Sequence, residues 1–124
     1  RSRQLFKYIL AEKSSGVFNG KVVVRKNTKQ TDADQSNRNL LLSPSAMMNA
    51  NPQLEILADD VKCSHGSTTG ELDDEALFYL QTRGIDSETA KSLLIYGFAN
   101  EIIERVKPES VQDYIQNRFT DWLS

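Results

Sequence analysis

Short apolar clusters separated by turn-forming residues constrain the fold of the first half of this chain more than any other feature. The clusters are mostly aliphatic or β-branched and are bounded by Gly, Asn, Asp or Pro, a pattern typical of strands joined by turns. They are Val17-Phe18, Val22-Val23-Val24, Leu40-Leu41-Leu42, Met47-Met48 and residues 54–57. Together with an apolar segment at residues 4–10, they predict a β-rich region over residues 1–70.

The spacing of the clusters favours stacked coils over a meander of hairpins. Val23 and Leu41 are 18 residues apart, and Leu41 and Ile56 are 15 residues apart. A period of this length, with a short strand in each repeat, is typical of a parallel β-helix or solenoid. The pair Asn19-Gly20 leaves a tight hairpin between two of the clusters as an alternative.

A long polar run at residues 26–39 interrupts the apolar clusters. We expect this run to form an outer strand and turns of a coil, with Thr31 and Ala33 as small inward-facing residues. A solenoid that is cut across its coils exposes an apolar interior and open strand edges. Self-association, or folding back of residues 1–15, is therefore expected to cover that end.

Residues 71–124 carry helical signals instead of strand signals. The expected boundaries are N-caps at Asp73 or Asp74 and at Asp86 or Ser87, a C-terminal Gly84, and Pro108 in the first turn of a third helix. The apolar stripes consist of Leu77 and Leu80 in the first helix, Ala90, Leu94, Phe98 and Ile102 in the second, and Val111, Ile115, Phe119 and Trp122 in the third. The capping residues and apolar stripes of residues 71–124 therefore predict three helices.

Composition and charge exclude several classes of protein. The chain has 124 residues and a net charge of −2, which argues against a nucleic-acid binder that relies on bulk electrostatics. Residues 1–66 carry ten Lys/Arg and six Asp/Glu, or +4, whereas residues 67–124 carry five and eleven, or −6. No apolar run is long enough to span a bilayer. Because the chain starts at Arg1 without an export signal and has one cysteine, we expect an excised fragment or processed product that works in the reducing cytoplasm.

The only cysteine and the only histidine, Cys63 and His65, lie two residues apart in the segment DDVKCSHGST at residues 59–68. Residues i and i+2 of a strand point to the same face, so the thiol and the imidazole share one space. Both groups are ligands that iron and other soft or borderline metals favour. Two ligands cannot complete a four-coordinate site, so a metal site here requires a second chain. The alternative is that Cys63 fills core space and His65 makes an ordinary hydrogen bond.

Several ordered motifs resemble the SufB/SufD family of iron–sulfur cluster assembly scaffold proteins, and the resemblance extends over residues 1–106. They are GVFNGKV at residues 16–22, the polar and leucine-rich residues 31–43, PQLEI at 52–56, residues 59–68, ALFYL at 76–80 and RGI at 83–85. Within the family, residues 61–66 (VKCSHG) are similar to SufD-type members and not to SufB-type members. The resemblance implies a fold that is mainly β with α. Residues 1–70 are then the last coils of a truncated right-handed parallel β-helix, and residues 71–124 are a small C-terminal helical subdomain.

The resemblance also implies a function, a cargo and partners. It implies a non-catalytic scaffold subunit of the SUF system that pairs with a SufB-like subunit, or with a second copy, through the β-helix. A transient iron–sulfur cluster is held at that interface, with His65 as the implied contributor and Cys63 beside it. The C-terminal helices are implied to dock a SufC-like ATPase, with Phe78, Tyr79, Arg83 and Phe98 as the contacts.

The main alternative function is a β-solenoid hydrolase, lyase or acyltransferase that uses His65 as a general base. Such an enzyme needs a polar partner for the histidine on a neighbouring coil, and the candidates are Asp32, Asp34 and Glu55. A purely structural solenoid is a third possibility. The chain lacks the glycine-rich lysine motif of P-loop nucleotide-binding proteins, so we do not expect it to bind ATP in that manner.

Overall fold

Five strands are followed by three helices in the computed structural model, which describes residues 1–124. The strands are β1 (Ser2–Leu10), β2 (Ser15–Val24), β3 (Thr31–Leu41), β4 (Met47–Ile56) and β5 (Val61–Gly70). The helices are α1 (Asp74–Thr82), α2 (Ser87–Ile103) and α3 (Glu109–Leu123). The strands belong to one unit, Arg1–Glu71, and the helices to a second unit, Leu72–Ser124.

The strands alternate between two parallel sheets. One sheet has the order β1-β3-β5, and the other pairs β2 with β4. Paired residues are 30 to 32 positions apart, as in Thr31 with Val61, Ser2 with Ala33 and Ser15 with Met47. Parallel strands must be joined by a crossover. Here the crossover between two strands of one sheet contains a strand of the other sheet, so one repeat consists of two strands.

This topology corrects three expectations drawn from the sequence. Clusters that are 15 and 18 residues apart lie on successive strands of opposite sheets, so the repeat is about twice as long as their spacing suggests. The alternative of a hairpin at Asn19-Gly20 is excluded, because both residues lie inside β2. Residues 26–39 contain the predicted turn and strand, but the strand is not an outer one, because β3, from Thr31 onward, is the central strand of its sheet.

A small apolar core lies between the strands of the first unit. Phe18 and Val24 of β2 and Leu40 of β3 are buried, and Ala33 is buried on the inward face of β3, as predicted. The ring of Phe6 on β1 lies 5.1 Å from the ring of Phe18, centroid to centroid. This tilted arrangement is favourable for aromatic pairs and joins the two sheets.

Amide side chains continue this interior along β3, and we call Gln35, Asn37 and Asn39 the amide ladder. All three side chains are buried. Asn37 and Asn39 exchange two hydrogen bonds, of 2.9 and 2.8 Å from Nδ2 to Oδ1. Across to β5, the Ser67 hydroxyl donates to Asn37 Oδ1 at 2.9 Å, and Asn39 Nδ2 donates to the Thr69 hydroxyl at 3.1 Å. Burial of polar groups is tolerated here because they are hydrogen-bonded to one another.

The helices of the second unit begin and end close to the predicted residues. Asp73 and Asp86 cap α1 and α2 with their carboxylates, as predicted. Gly84 follows the end of α1 with φ of 88°, a conformation that favours glycine. Pro108 is the N-cap of α3 and so lies one position before the predicted first turn. None of the three helices combines the length and the apolar content that a membrane-spanning helix requires.

Packing in the second unit centres on α2. Its buried residues are Ala90, Ile95 and Ile103. α3 packs against α2 through aromatic rings, with Tyr96 and Phe119 6.3 Å apart at their centroids. The amide of Gln116 also donates a hydrogen bond to the Tyr96 hydroxyl.

Candidate functional site

Cys63 and His65 lie on β5 and face the interior side of their sheet. In the parallel register, Cys63 pairs with Ala33 and His65 pairs with Gln35. Residues paired across adjacent strands project to the same face of a sheet. Because Ala33 and Gln35 are buried, the thiol and the imidazole project to the same side as the interior, as the i, i+2 spacing predicts.

The two side chains differ in exposure. Cys63 is a free thiol and is half-buried, whereas His65 is exposed. The reason lies in the strand count of the two sheets: the sheet of β5 has three strands, but the opposite sheet has two and ends at β4. The interior face of β5 is therefore less covered than that of β3, and the imidazole is reachable from outside this chain.

β5 is also an edge strand, because β3 is its only sheet neighbour. The backbone N–H and C=O groups on its other side have no partner strand, and such an edge is a template for pairing with another chain. The edge therefore runs beside the two candidate ligands.

The donor set of this chain falls short of a complete metal site. No group of three or more His, Cys, Asp or Glu side chains is arranged to hold a metal ion. Cys63 and His65 can supply one sulfur and one nitrogen ligand, which fits iron chemistry but leaves at least two positions of a four-coordinate iron to another molecule. The arrangement is suited to a shared site and not to a site within one chain.

The carboxylates that the enzyme alternative requires lie away from His65. Asp32 and Asp34 occupy the positions of β3 that alternate with Gln35, so they project to the opposite face of the sheet. Asp34 accepts a hydrogen bond from the Ser64 hydroxyl on that face. Glu55 forms an ion pair with Lys21, with 2.7 Å between Oε2 and Nζ. None of the three is positioned to orient the imidazole, so no observation favours the solenoid enzyme.

Gln35 is the residue at this site that sequence reasoning missed. Its side chain is 3% exposed, and its Nε2 donates to Gln4 Oε1 on β1 at 3.2 Å. Its Oε1 is buried and has no hydrogen-bond donor. The only signal in the sequence is an interval of 30 residues between Gln35 and His65, and that signal is meaningful only once the register is known.

The residues expected to contact an ATPase lie on two helices. Phe78 and Tyr79 on α1 are 67% and 56% exposed, which is unusual for large aromatic side chains. The guanidinium of Arg83 lies 5.1 Å from the centroid of the Tyr79 ring, so the structure brings these two residues together. Phe98 lies on α2 and is half-buried.

Comparison with known proteins gives a consistent set of relatives. The family model described as SUF system FeS cluster assembly, SufBD core domain, matches residues 1–98. The chain is 45% identical over 117 residues to the iron–sulfur cluster assembly protein SufD of Escherichia coli, an alignment that covers 94% of this chain and 28% of that protein.

Two further relatives also match most of this chain. The chain is 48% identical over 117 residues to the Arabidopsis thaliana protein named ABCI7, chloroplastic, covering 94% of this chain and 25% of that protein. It is 45% identical over 111 residues to an iron–sulfur cluster assembly SufBD family protein of Synechocystis, covering 90% and 24%. The chain thus spans about a quarter of the length of the curated relatives it matches.

Proposed function

The chain belongs to the SufBD core family of the SUF system, and from that premise we propose that it is the C-terminal part of a SufD-like scaffold subunit for iron–sulfur cluster assembly. The observation that carries the proposal is 45% identity to a SufD protein across 94% of this chain. In this proposal residues 1–70 are the last coils of a right-handed parallel β-helix, and residues 71–124 are the C-terminal helical subdomain. The alternation of parallel strands between two sheets supports the first assignment.

The proposed role of β5 is to pair with a SufB-like subunit. Its unpaired edge offers backbone donors and acceptors to a strand of a partner, the usual basis of strand addition. Pairing at this edge brings side chains of the partner next to Cys63 and His65. A second copy of this chain is the competing partner, and the composition of the purified complex distinguishes the two.

The nascent iron–sulfur cluster is the cargo of this interface, not a resident cofactor. The imidazole nitrogen of His65 and the thiolate of Cys63 donate lone pairs to iron, and the partner supplies the remaining ligands. A site divided between two chains opens when one chain moves relative to the other. Transfer of a cluster then exchanges the iron–ligand bonds to His65 and Cys63 for bonds to the acceptor and breaks no covalent bond of this chain, which fits a scaffold role.

Docking of a SufC-like ATPase is proposed for the helical unit. Exposed Phe78 and Tyr79 present aromatic surface, and the guanidinium of Arg83 lies over the Tyr79 ring. Aromatic and arginine side chains are enriched among residues that dominate binding energy. Phe98 on α2 completes the proposed contact set.

The proposed compartment is the cytoplasm. A free thiol that serves as a ligand needs a reducing environment, and Cys63 is the only cysteine of the chain. One relative carries the word chloroplastic in its name.

The decisive experiment is anaerobic reconstitution of the full subunit with its SufB-like partner, the ATPase, iron and sulfide, followed by visible absorption of the cluster. We expect His65→Ala to lower the cluster yield by at least about tenfold, because even the loss of a group supporting a metal ligand costs that much in metal affinity. The matched control is Thr68→Ala, which lies on the same strand but on its other face. A normal cluster yield in His65→Ala would contradict the proposal.

The same preparation tests the helical unit. Binding of the ATPase, measured by calorimetry, is expected to be unchanged in His65→Ala and weakened in Phe78→Ser. Equal ATPase affinity in Phe78→Ser and the wild type would remove α1 from the proposed docking surface.

A further inference from the structure

We propose that Gln35 positions His65: its Oε1 accepts a hydrogen bond from one imidazole nitrogen, so that the other nitrogen keeps its lone pair and faces outward. The inference rests on the proposed function only in that the outward nitrogen is the one offered to iron. Gln35 itself touches no cargo in this arrangement and acts through His65.

The direction of the Gln35 amide is the first observation. Gln35 lies between Gln4 on β1 and His65 on β5, because all three are register partners across the sheet. Its Nε2 points toward β1, where it donates to Gln4 Oε1 at 3.2 Å. The nitrogen and oxygen of an amide diverge from the carbonyl carbon, so Oε1 is not the atom that meets Gln4, and it lies beside Gly20 of β2. That oxygen is buried without a donor.

Asn37, the next residue of the amide ladder, shows how both the nitrogen and the oxygen of such an amide obtain hydrogen-bond partners. Asn37 also donates with its nitrogen toward β1, from Nδ2 to the Phe6 carbonyl oxygen at 3.3 Å. Its Oδ1 accepts from β5, where the Ser67 hydroxyl donates at 2.9 Å. Two residues earlier along β3, Gln35 takes the place of Asn37, and the β5 residue in register with Gln35 is His65. His65 therefore holds, two residues before Ser67 on β5, the same register position beside Gln35 that Ser67 holds beside Asn37.

Crowding from the opposite sheet keeps the amide in place. A Cβ added at Gly20 of β2 would lie 2.6 Å from Gln35 Oε1 and 2.7 Å from Phe18 Cζ. The oxygen thus lies close to Gly20, which has no side-chain donor. A buried acceptor is costly to leave unpaired, which favours a donor from β5.

The chemical consequence concerns the tautomer of the histidine. A neutral imidazole has one N–H and one lone pair, and the hydrogen bond made by one nitrogen determines which of them the other offers. Residues that hold a metal-binding histidine in this way are common around metal sites. Exposure of His65 leaves the second nitrogen accessible to a partner and its iron.

The experiment uses the fact that His65 is the only histidine of the chain. The protein is labelled with 15N-histidine and measured by nuclear magnetic resonance at a pH where the imidazole is neutral. The spectrum then contains the signals of one imidazole ring, with one N–H proton whose exchange rate with water can be measured. In the wild type we expect that proton to be visible and slow to exchange with water. In Gln35→Met, which keeps the length and loses the acceptor, we expect exchange about fivefold faster, the factor of a hydrogen bond of ordinary net strength.

Two variants separate positioning from general loosening. Gln53→Met changes an exposed glutamine on β4 and is expected to leave the imidazole exchange rate unchanged. Gln35→Glu keeps an oxygen acceptor and is expected to retain slow exchange. Equal exchange rates in the wild type and Gln35→Met, both with dispersed amide spectra, would overturn the inference. If Gln35→Met does not fold, a wild type without a protected imidazole N–H overturns it instead.

These results are independent of the cluster assay. A normal cluster yield in His65→Ala defeats the proposed function and leaves the tautomer measurement intact. Fast imidazole exchange in the wild type defeats the role of Gln35 and leaves the cluster assay intact.

Discussion

The strand unit and the helical unit achieve order by different means. In the strand unit every sheet pairing joins residues 30 to 32 positions apart, and the centre of β3 is filled by amides instead of aliphatic side chains. In the helical unit the first two helices are started by aspartate caps from adjacent positions in the chain. Order in the first unit depends on distant partners, whereas order in the second begins locally and is completed by packing on α2.

The difference teaches where each unit is vulnerable. A buried amide is stabilising only while all of its partners are present, so the amide ladder tolerates little change. The helical unit leaves large apolar side chains exposed on its surface, including Phe78, Tyr79, Tyr114 and Trp122. Surface positions of this kind change binding more than they change stability.

The largest effect is expected in the amide ladder. Asn37→Leu removes the partner of Asn39, of the Ser67 hydroxyl and of the Phe6 carbonyl. We expect the free energy of unfolding to fall by about 3 kcal/mol, since several buried polar groups lose their bonds at once. Urea unfolding measures this change in the free energy of unfolding.

The control is Asn51→Leu, because Asn51 also pairs with other asparagines but is exposed on β4. The free energy of unfolding of Asn51→Leu is expected to stay within about 0.5 kcal/mol of the wild-type value. Similar losses in the two variants would mean that the buried ladder has no special role in the strand unit.

A smaller effect is expected from crowding between the sheets. Gly20→Ala places a methyl group 2.6 Å from Gln35 Oε1 and 2.7 Å from Phe18 Cζ. We expect a loss of about 2 kcal/mol in unfolding free energy, as for other overpacked interiors. Gly66→Ala on β5 is the control, because nothing lies within 4 Å of the added methyl group. A neutral Gly20→Ala variant in thermal unfolding would show that the Gln35 and Phe18 side chains can move aside without penalty.

The smallest effect is a pH dependence that belongs to the helical unit. The backbone N–H of Thr89 donates to Asp86 Oδ1 at 2.9 Å and its hydroxyl donates to Oδ2 at 2.8 Å; these bonds lower the pKa of the Asp86 carboxyl below its ordinary value of 3.8. A carboxyl whose pKa is lower in the folded state stabilises the protein above the pKa of the unfolded chain. That contribution is lost as the pH falls through the folded pKa.

We therefore expect part of the helical circular dichroism to be lost below pH of about 4, the range in which carboxyl groups titrate. Asp86→Asn keeps a capping acceptor without the charge and should lose less helix on acidification. Asp113→Asn, a change of an exposed aspartate within α3, is the control. An identical acid response in Asp86→Asn and Asp113→Asn would contradict the assignment to the cap.

The contrast between the units also explains which parts of the fold are predictable from the sequence. Asp73, Asp86 and Gly84 are recognisable because capping and helix termination depend on a few neighbouring residues. The positions of the strands are recognisable from their apolar clusters. The length of the repeat is not recognisable, because clusters on opposite sheets look alike in the sequence. Residues 31–39 look like an outer strand, because only partners about 30 positions away show that their amides are buried.

The candidate site divides in the same way. The shared face of Cys63 and His65 follows from the two-residue period of a strand, and the structure confirms it. Their role in holding a cluster, and the ATPase contacts of the helices, stay predictions. Gln35 could not be found from the sequence, because its relation to His65 depends on the register of β3 with β5.

The number of residues between partners on paired strands determines where this chain tolerates an insertion. The intervals are 31, 32 and 30 residues for the three strand pairs, and the turns at residues 11–14, 25–30, 42–46 and 57–60 absorb the differences. One extra residue inside β3 would turn its alternate side chains to the wrong face. A peptide epitope inserted at residues 25–30 instead extends outside both sheets, which makes this turn a site for labelling the subunit while it assembles.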